Sequence, residues 1–326
     1  MGKYTKRGGD LSGSRQGGSS HPNHTARLML FATSLIWGFA FVAQRAGMAH
    51  VGPFTFNAAR NGVAWVVLGA LARPLRAVRG GGGVPPEGNA VPGRLKRARA
   101  GGVVCGLILF GGSTLQQFGI IHTAVANASF ITTLYIVLVP LAGLLLGRRT
   151  SPAVFAAVAL AAFGLYRMCV PKGFMVSLSR GDLLVLLCAF FFSAHILAID
   201  AFSPRADGVW MSRVQFATAG TLSAVCMILF ERPSIGGLLA CWWPILYAGV
   251  MSSGAGYTLQ VLGQRNTPPA VASLILSLES VFGALFGFVF LSETISARGL
   301  SGMALMFSAT ILAQLPASRG KTNAAG

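Results

Sequence analysis

Residues 112–150, GSTLQQFGIIHTAVANASFITTLYIVLVPLAGLLLGRRT, and residues 256–294, GYTLQVLGQRNTPPAVASLILSLESVFGALFGFVFLSET, are two versions of one segment. A shift of about 144 residues lays one on the other without a gap. Gly112, Thr114, Leu115, Gln116, Gly119 and Thr123 fall on Gly256, Thr258, Leu259, Gln260, Gly263 and Thr267. Ala126, Ala128, Ser129, Ile131 and Leu134 fall on Ala270, Ala272, Ser273, Ile275 and Leu278. Apolar segments share few residue types, so some of this agreement is compositional. The polar matches, Thr-Leu-Gln and Ala-x-Ser, are not explained that way.

The surroundings of the repeat are those of a membrane protein. Of 326 residues, 53% are hydrophobic and 10% charged, whereas a soluble domain carries about 25% charged residues. Mean hydropathy is +0.65. These values exclude a soluble enzyme, a disordered scaffold and a small disulfide-stapled protein. Ten runs of about 20 apolar residues can be marked. They lie near 28–47, 54–72, 101–121, 125–147 and 152–170, then 182–200, 209–230, 239–262, 269–291 and 298–316. Each reaches across about 30 Å at 1.5 Å per residue, and open strands are excluded because lipid cannot satisfy their backbone groups. The expected fold is an all-α integral membrane protein of ten transmembrane helices.

Charge orients them. The chain holds 26 Lys and Arg against 8 Asp and Glu. In a soluble protein that excess would point to nucleic acid, but here the basic residues sit in short connectors and no basic aromatic groove can be built from them. They concentrate before the first span, in the second connector (Arg73 to Arg99), at Arg148 and Arg149, and at Arg205, Arg213, Arg265, Arg319 and Lys321. That face is cytoplasmic by the positive-inside rule, so both termini are cytoplasmic, as an even span count also requires. In a bacterial setting this is a multi-pass protein of the inner, cytoplasmic membrane. Residues 1–26 read as a disordered basic tail, 73–100 as a cytoplasmic loop and 317–326 as a second tail. Cys105, Cys169, Cys188, Cys226 and Cys241 lie in or at the ends of apolar segments without a C-x-x-C, and read as small core residues.

The repeat then decides the architecture. Two units, 27–171 and 180–316, hold five spans each. Five is odd, so the second unit enters the membrane inverted relative to the first. Inverted repeats of this kind accompany secondary transporters, with the binding site near the midplane.

Four segments carry a family resemblance. Leu35-Ile36-Trp37-Gly38-Phe39-Ala40-Phe41 resembles the opening of EamA-type members of the drug/metabolite transporter superfamily, and Ala58-Ala59-Arg60 their second-span segment. Ala272-Ser273-Leu274-Ile275-Leu276-Ser277-Leu278-Glu279-Ser280-Val281-Phe282 resembles their ninth-helix pattern, and Leu291-Ser292-Glu293-Thr294-Ile295 its end. Two tandem units would cover nearly everything after Ala26. The chain departs from the pattern at Ser280, where proline is usual, and at Arg148-Arg149, where the first unit's acidic residue would stand. The resemblance implies a ten-helix metabolite carrier, usually an exporter, and implies no particular substrate.

Polar groups at membrane depth mark candidate site residues. Glu279 lies about 15 Å into the ninth span at 1.5 Å per residue. It is a candidate for proton coupling or cation contact, or alternatively a glutamate hydrogen-bonded within the bundle. Its repeat mate is Tyr135. Arg60, inside the second span, is a candidate for a substrate carboxylate. Arg45, late in the first, is a candidate gate; either could instead snorkel to headgroups. His195 could relay a proton or be a core residue. The repeat mates Gln116 and Gln260, with Asn127 and the neighbouring Gln44 and Gln117, could line a cavity or join helices. Trp37 and Tyr257 could form its aromatic walls. Asp200 reads as a cap or loop contact, and Glu293 as a helix-end partner of Arg298.

The expected function is a secondary-active carrier exporting a small metabolite, an amino acid or an amphipathic drug, coupled to protons or another ion. The chain has no phosphate-cradling G-x-x-x-x-G-K-[ST] for using ATP, no H-E-x-x-H or G-x-S-x-G of an intramembrane enzyme, and no ligand pattern for a metal or cofactor. Its expected partners are the small-molecule substrate and the bilayer, with no nucleic acid. A nucleotide-sugar or triose-phosphate exchanger shares the ten-helix plan but calls for clustered cations. A channel or scaffold, and association with further copies of the chain, stay open at this level.

Overall fold

A computed structural model describes residues 23–78, 92–123, 125–148, 150–169, 179–292 and 294–314. The two tails up to residue 22 and from 315, loop residues 79–91, Arg149 and Glu293 lie outside the described residues. Everything described is helix or short connection, with no strand among the described residues. The first half holds α1 (His24–Gly47), α2 (Pro53–Val78), α3 (Pro92–His122), α4 (Val125–Thr132), α5 (Tyr135–Leu145) and α6 (Pro152–Cys169). The second holds α7 (Arg180–Phe202), α8 (Gly208–Phe230), α9 (Ile235–Ala240), α10 (Trp242–Leu246), a π-helical stretch (Tyr247–Tyr257), α11 (Thr258–Gln264), α12 (Pro269–Leu276), α13 (Leu278–Leu291) and α14 (Ala297–Leu312).

Six helical segments are long and apolar enough to cross a membrane: α1, α3, α4 with α5, α7, α8, and α12 with α13. The other four expected spans are helical but differ from a plain apolar rod. The first turns of α2 carry Asn57, Arg60 and Asn61. The span expected at 239–262 is divided into α9, α10, the π stretch and α11. The apolar portions of α6 and α14 are shorter, at Pro152–Arg167 and Ala297–Leu312.

The helix ends follow from local chemistry. Ser179 and Asp182 form a reciprocal capping box on α7, satisfying orphan backbone donors at its start. Asp207 caps α8 and Ser296 caps α14. Beyond α5, Gly147 takes φ 72°, a left-handed conformation natural to glycine. Ser292, which ends α13, takes the same region at φ 56°.

Two interruptions bear on the site. The segment α4–α5 tightens at Thr133 and Leu134, where Leu134 N–H bonds Ile131 O at 3.1 Å and Ile136 N–H bonds Thr133 O at 2.9 Å. The segment α12–α13 tightens at Ser277, with Ser280 N–H on Ser277 O at 3.1 Å. The offset that pairs Tyr135 with Glu279 also pairs Thr133 with Ser277. Just before each interruption a repeat-related serine bonds back one turn, Ser129 to Ala126 O and Ser273 to Ala270 O, both at 2.9 Å. The sequence repeat is thus a repeat of backbone detail.

Packing joins the halves throughout. Their corresponding helices pack on each other: α2 on α8, α6 on α14, and α4 and α5 on α13 and α12. Polar clamps close both ends of the bundle. At one end Arg45, in the last turn of α1, donates to the carbonyls of Ile120, Ile121 and Thr123 at the end of α3. There too Thr123 Oγ1 donates to Asp182 at 2.6 Å. At the other end Arg97 bonds Ala201 O, Arg265 bonds Pro204 O, and Arg148 pairs with Asp200.

The clamp at the end of α8 is quantifiable. Glu231 accepts from Phe54 N–H at 2.9 Å, Thr55 N–H at 2.8 Å and Thr55 Oγ1 at 2.6 Å. A carboxylate on the first turn of α2 satisfies orphan donors and meets the positive end of the helix dipole. Glu231→Ala should cost about 1–2 kcal/mol of stability. The adjacent exposed Arg232→Ala should change it little. Equal melting temperatures for the two variants in detergent would show that the clamp contributes nothing.

Candidate functional site

Where the two interruptions meet, the bundle holds a small cavity of about 30 Å³. Its walls are chemically different. From the first half, α1 contributes Trp37, Phe41 and Gln44, α2 contributes Arg60, α3 contributes Gln116, and the α4–α5 junction contributes Thr132 and Tyr135. From the second half, α7 contributes Phe192 and His195, the π stretch Ser252 and Tyr257, α11 Gln260, and α13 Glu279.

Tyr135 and Glu279 form the centre. The Tyr135 hydroxyl donates to Glu279 Oε1 at 2.9 Å, and the two residues are 2% and 3% exposed. Each is bonded to its own repeat mate, so the bond joins equivalent points of the two halves. Each also stands just after its interruption, on the first turn of α5 or α13.

Arg60 supplies the opposite sign. It is 2% exposed, its guanidinium faces the Tyr257 hydroxyl, and its Nε has no hydrogen-bond partner. No ion pair joins it to Glu279 among the described residues. A buried cation without a counter-ion is costly, and this guanidinium has a donor free to pair with an anionic group. Counted from the starts of α2 and α8, Arg60 corresponds to Gln215. Gln215 Oε1 lies 3.1 Å from His195 Nε2. The first half therefore offers a cation where the second offers an amide held to a histidine.

Tyr257 organises the aromatic wall. Its ring stacks obliquely on Trp37 at 4.6 Å and meets His195 edge-on at 5.6 Å. The π stretch that ends at Tyr257 is stitched to α1: Trp37 Nε1 donates to Ser252 O at 3.2 Å and Thr33 Oγ1 to Gly256 O at 3.1 Å. A π turn shifts backbone bonding from i−4 to i−5 and is common at functional sites. Here α1 side chains supply donors to two of its carbonyls.

Glu279, Tyr135, Arg60, His195, Trp37, Gln116, Gln260 and Tyr257 are thus brought to one cavity. Asn127 is not: it is exposed on α4. Arg45 lies outside the cavity, exposed, and closes the carbonyl end of α3. Asp200 is the partner of Arg148, so the basic residue that departs from the family pattern has a carboxylate on α7. Gln116 Nε2 bonds Thr132 Oγ1 at 3.1 Å, while Gln260 Oε1 and Gln44 Oε1 have no partner. Phe192, Ser252, Thr132 and Gln215 escaped the sequence reading. So did Asn57 and Asn61, fully buried beside Arg60 with unpartnered amides; the signal was an Asn-x-x-Arg-Asn run at membrane depth. The described cysteines Cys105, Cys188, Cys226 and Cys241 are free thiols, and no described cluster could hold a metal.

Comparison with known proteins adds the following. The model of the EamA-like transporter family matches residues 24–169 and again 179–315. An uncharacterized transporter of Archaeoglobus fulgidus is 28% identical over 295 residues, covering 89% of this chain and 86% of that protein. A second, from Methanothermobacter thermautotrophicus, is 26% identical over 204 residues, 60% of this chain and 58% of that one. A solved crystal structure superposes with a TM-score of 0.69 at 21% identity, over 89% of this chain and 96% of its own, a likeness of fold.

Proposed function

The chain belongs to the EamA-like transporter family, and from that premise we propose that it is a secondary-active carrier. It exports a small metabolite, an amino acid or an amphipathic drug by alternating access, with Glu279 as the proton-coupling group. The helices are taken as ten crossings: α1, α2, α3, α4–α5 and α6, then α7, α8, α9–α11, α12–α13 and α14. Five crossings per unit invert the second relative to the first, and the packing of corresponding helices supports that symmetry. The basic end of the bundle, with both termini, faces the cytoplasm.

The observation that carries the reading is a cavity between the two units with a buried carboxyl and a buried, unpaired guanidinium on different walls. A substrate with an anionic group for Arg60, a donor or cation for Glu279, and an apolar body against Trp37, Phe192 and Tyr257 matches all three surfaces. A phosphorylated sugar matches less well, because Arg60 is the sole Lys or Arg on the described cavity wall and phosphate recognition favours several cations.

Vesicles with a pH-sensitive dye inside test this. A panel of the protein amino acids, tetraphenylphosphonium and a sugar phosphate is added with and without an imposed pH gradient. Saturable proton movement with an amino acid or the organic cation is expected, and its loss in Arg60→Gln for carboxylate substrates alone. Flux rising linearly without saturation would make the protein a channel. Response to the sugar phosphate alone would make it an exchanger.

A further inference from the structure

Away from the cavity, Arg213 on α8 is a cation without an acceptor. Its guanidinium carbon lies 5.0 Å from the Trp65 ring centroid and 5.6 Å from that of Trp210. Its Nε is buried without a hydrogen-bond partner, and so is the indole Nε1 of Trp210 beside it. No carboxylate pairs with Arg213 among the described residues. The guanidinium also rests against α2 at Gly69, where an added Cβ would come within 3.0 Å of a terminal nitrogen. The site is shaped by a glycine, two indoles and one cation, with two donors left over.

Its place in the bundle says what would accept from the guanidinium. Arg213 is five residues into α8, about 7.5 Å from the helix start at 1.5 Å per residue, within snorkelling reach of a headgroup layer. Trp65 is 43% exposed on α2, on the outside of the bundle. The same end carries Arg94, Lys96, Arg99 and Arg205. Indole faces cover the guanidinium plane through cation–π contact. The in-plane N–H groups are left for an acceptor, and their fork geometry suits two oxygens of one phosphate.

We propose that Trp65, Arg213 and Trp210 form a binding site for the phosphate of an anionic phospholipid in the leaflet at the basic end of the bundle. The lipid phosphate accepts from the terminal N–H groups of the Arg213 guanidinium, and its acyl chains run along Trp65 and the α2–α8 surface. Phosphatidylcholine carries its own cation to offset the phosphate, whereas an anionic headgroup leaves that charge for Arg213, which sets the preference for anionic lipid. This proposal does not depend on the transported substrate.

The test uses the full chain, delipidated in detergent, with palmitoyl-oleoyl phosphatidylglycerol, the matching phosphatidylcholine, or glycerol 3-phosphate. Melting temperature and lipid retained in native mass spectrometry are read for wild type, Arg213→Gln, Trp65→Leu and Arg205→Gln. Phosphatidylglycerol should raise the wild-type midpoint above phosphatidylcholine. That increment should at least halve in Arg213→Gln and Trp65→Leu, with one fewer phosphatidylglycerol retained, and persist in Arg205→Gln. If Arg213→Gln does not fold, Trp65→Leu, altered at a partly exposed side chain, decides alone. An undiminished increment would overturn the proposal, as would equal loss in Arg205→Gln, which would mean diffuse charge. Full reproduction by glycerol 3-phosphate would mean a free-anion site and would overturn it too.

Discussion

Glu279→Gln is expected to abolish accumulation driven by a pH gradient while leaving exchange of substrate across the membrane. Glutamine keeps the shape of the protonated acid and can still accept from Tyr135, so the cavity should stay assembled. What it cannot do is release a proton. In vesicles loaded with substrate, counterflow should therefore continue while net proton-driven flux falls about tenfold or more, a barrier change of about 1.4 kcal/mol or more. That is within the worth of one hydrogen bond to a charged group, so a matched variant is needed to separate the carboxyl from its bond. Tyr135→Phe removes the 2.9 Å bond and keeps the acid. It should retain coupling with a changed rate. A Glu279→Gln protein that still accumulates substrate against a gradient would sink the coupling role. Equal loss of coupling in both variants would assign the effect to the bond between the halves instead.

The sequence repeat paired Tyr135 with Glu279 at similar depth without saying that they meet. Tyr135 and Glu279 are mates by alignment, and a pair of mates can touch only where equivalent points of the two halves come together. The same argument made Thr133 and Ser277 equivalent, but nothing in either residue announces a tightened turn, because both are compatible with a helix. Depth was legible as well: Arg60, Gln116, His195 and Gln260 were marked as polar groups inside apolar runs, and all line the cavity.

Direction around the helix was much less legible. In water a polar stripe marks the outside of a helix. In lipid the outside is apolar and the inside is mixed, so the pattern loses contrast. Asn127 looked like a cavity residue for that reason and is exposed on α4. Arg45 differs from Arg60 in its exposure and in what its guanidinium reaches, the carbonyl end of α3, a contact between distant segments. The π stretch was illegible for a related reason. Its stability involves Thr33 and Trp37 of α1, which lie more than 200 residues away.

Gly38→Val is expected to be the most damaging substitution of a residue that makes no polar side-chain contact. A Cβ at Gly38 would lie 2.4 Å from the Cβ of Phe282 and 2.9 Å from the backbone nitrogen of Gly283. Backbone cannot swing aside as a flexible side chain can, so α1 must part from α13. Overpacking of this kind costs about 1–3 kcal/mol, occasionally more. Here the displacement also reaches the site, since α1 carries Trp37 and α13 carries Glu279. This gives the Trp-Gly pair of the opening segment a joint reason: the tryptophan forms the cavity wall and the glycine lets that wall approach the helix bearing the carboxyl. Gly62 is the matched control, a glycine inside α2 with nothing within 4 Å of an added Cβ. Gly62→Ala should be neutral or stabilising by about 0.5–1 kcal/mol. Melting in detergent should rank Gly62→Ala at or above wild type, Gly38→Ala below it and Gly38→Val lowest, with substrate-induced stabilisation lost in the last. If Gly38→Val melts with Gly62→Ala, the close approach of α1 to α13 does not hold the carboxyl in place, and the cavity walls are set by the contacts of α1 with the π stretch instead.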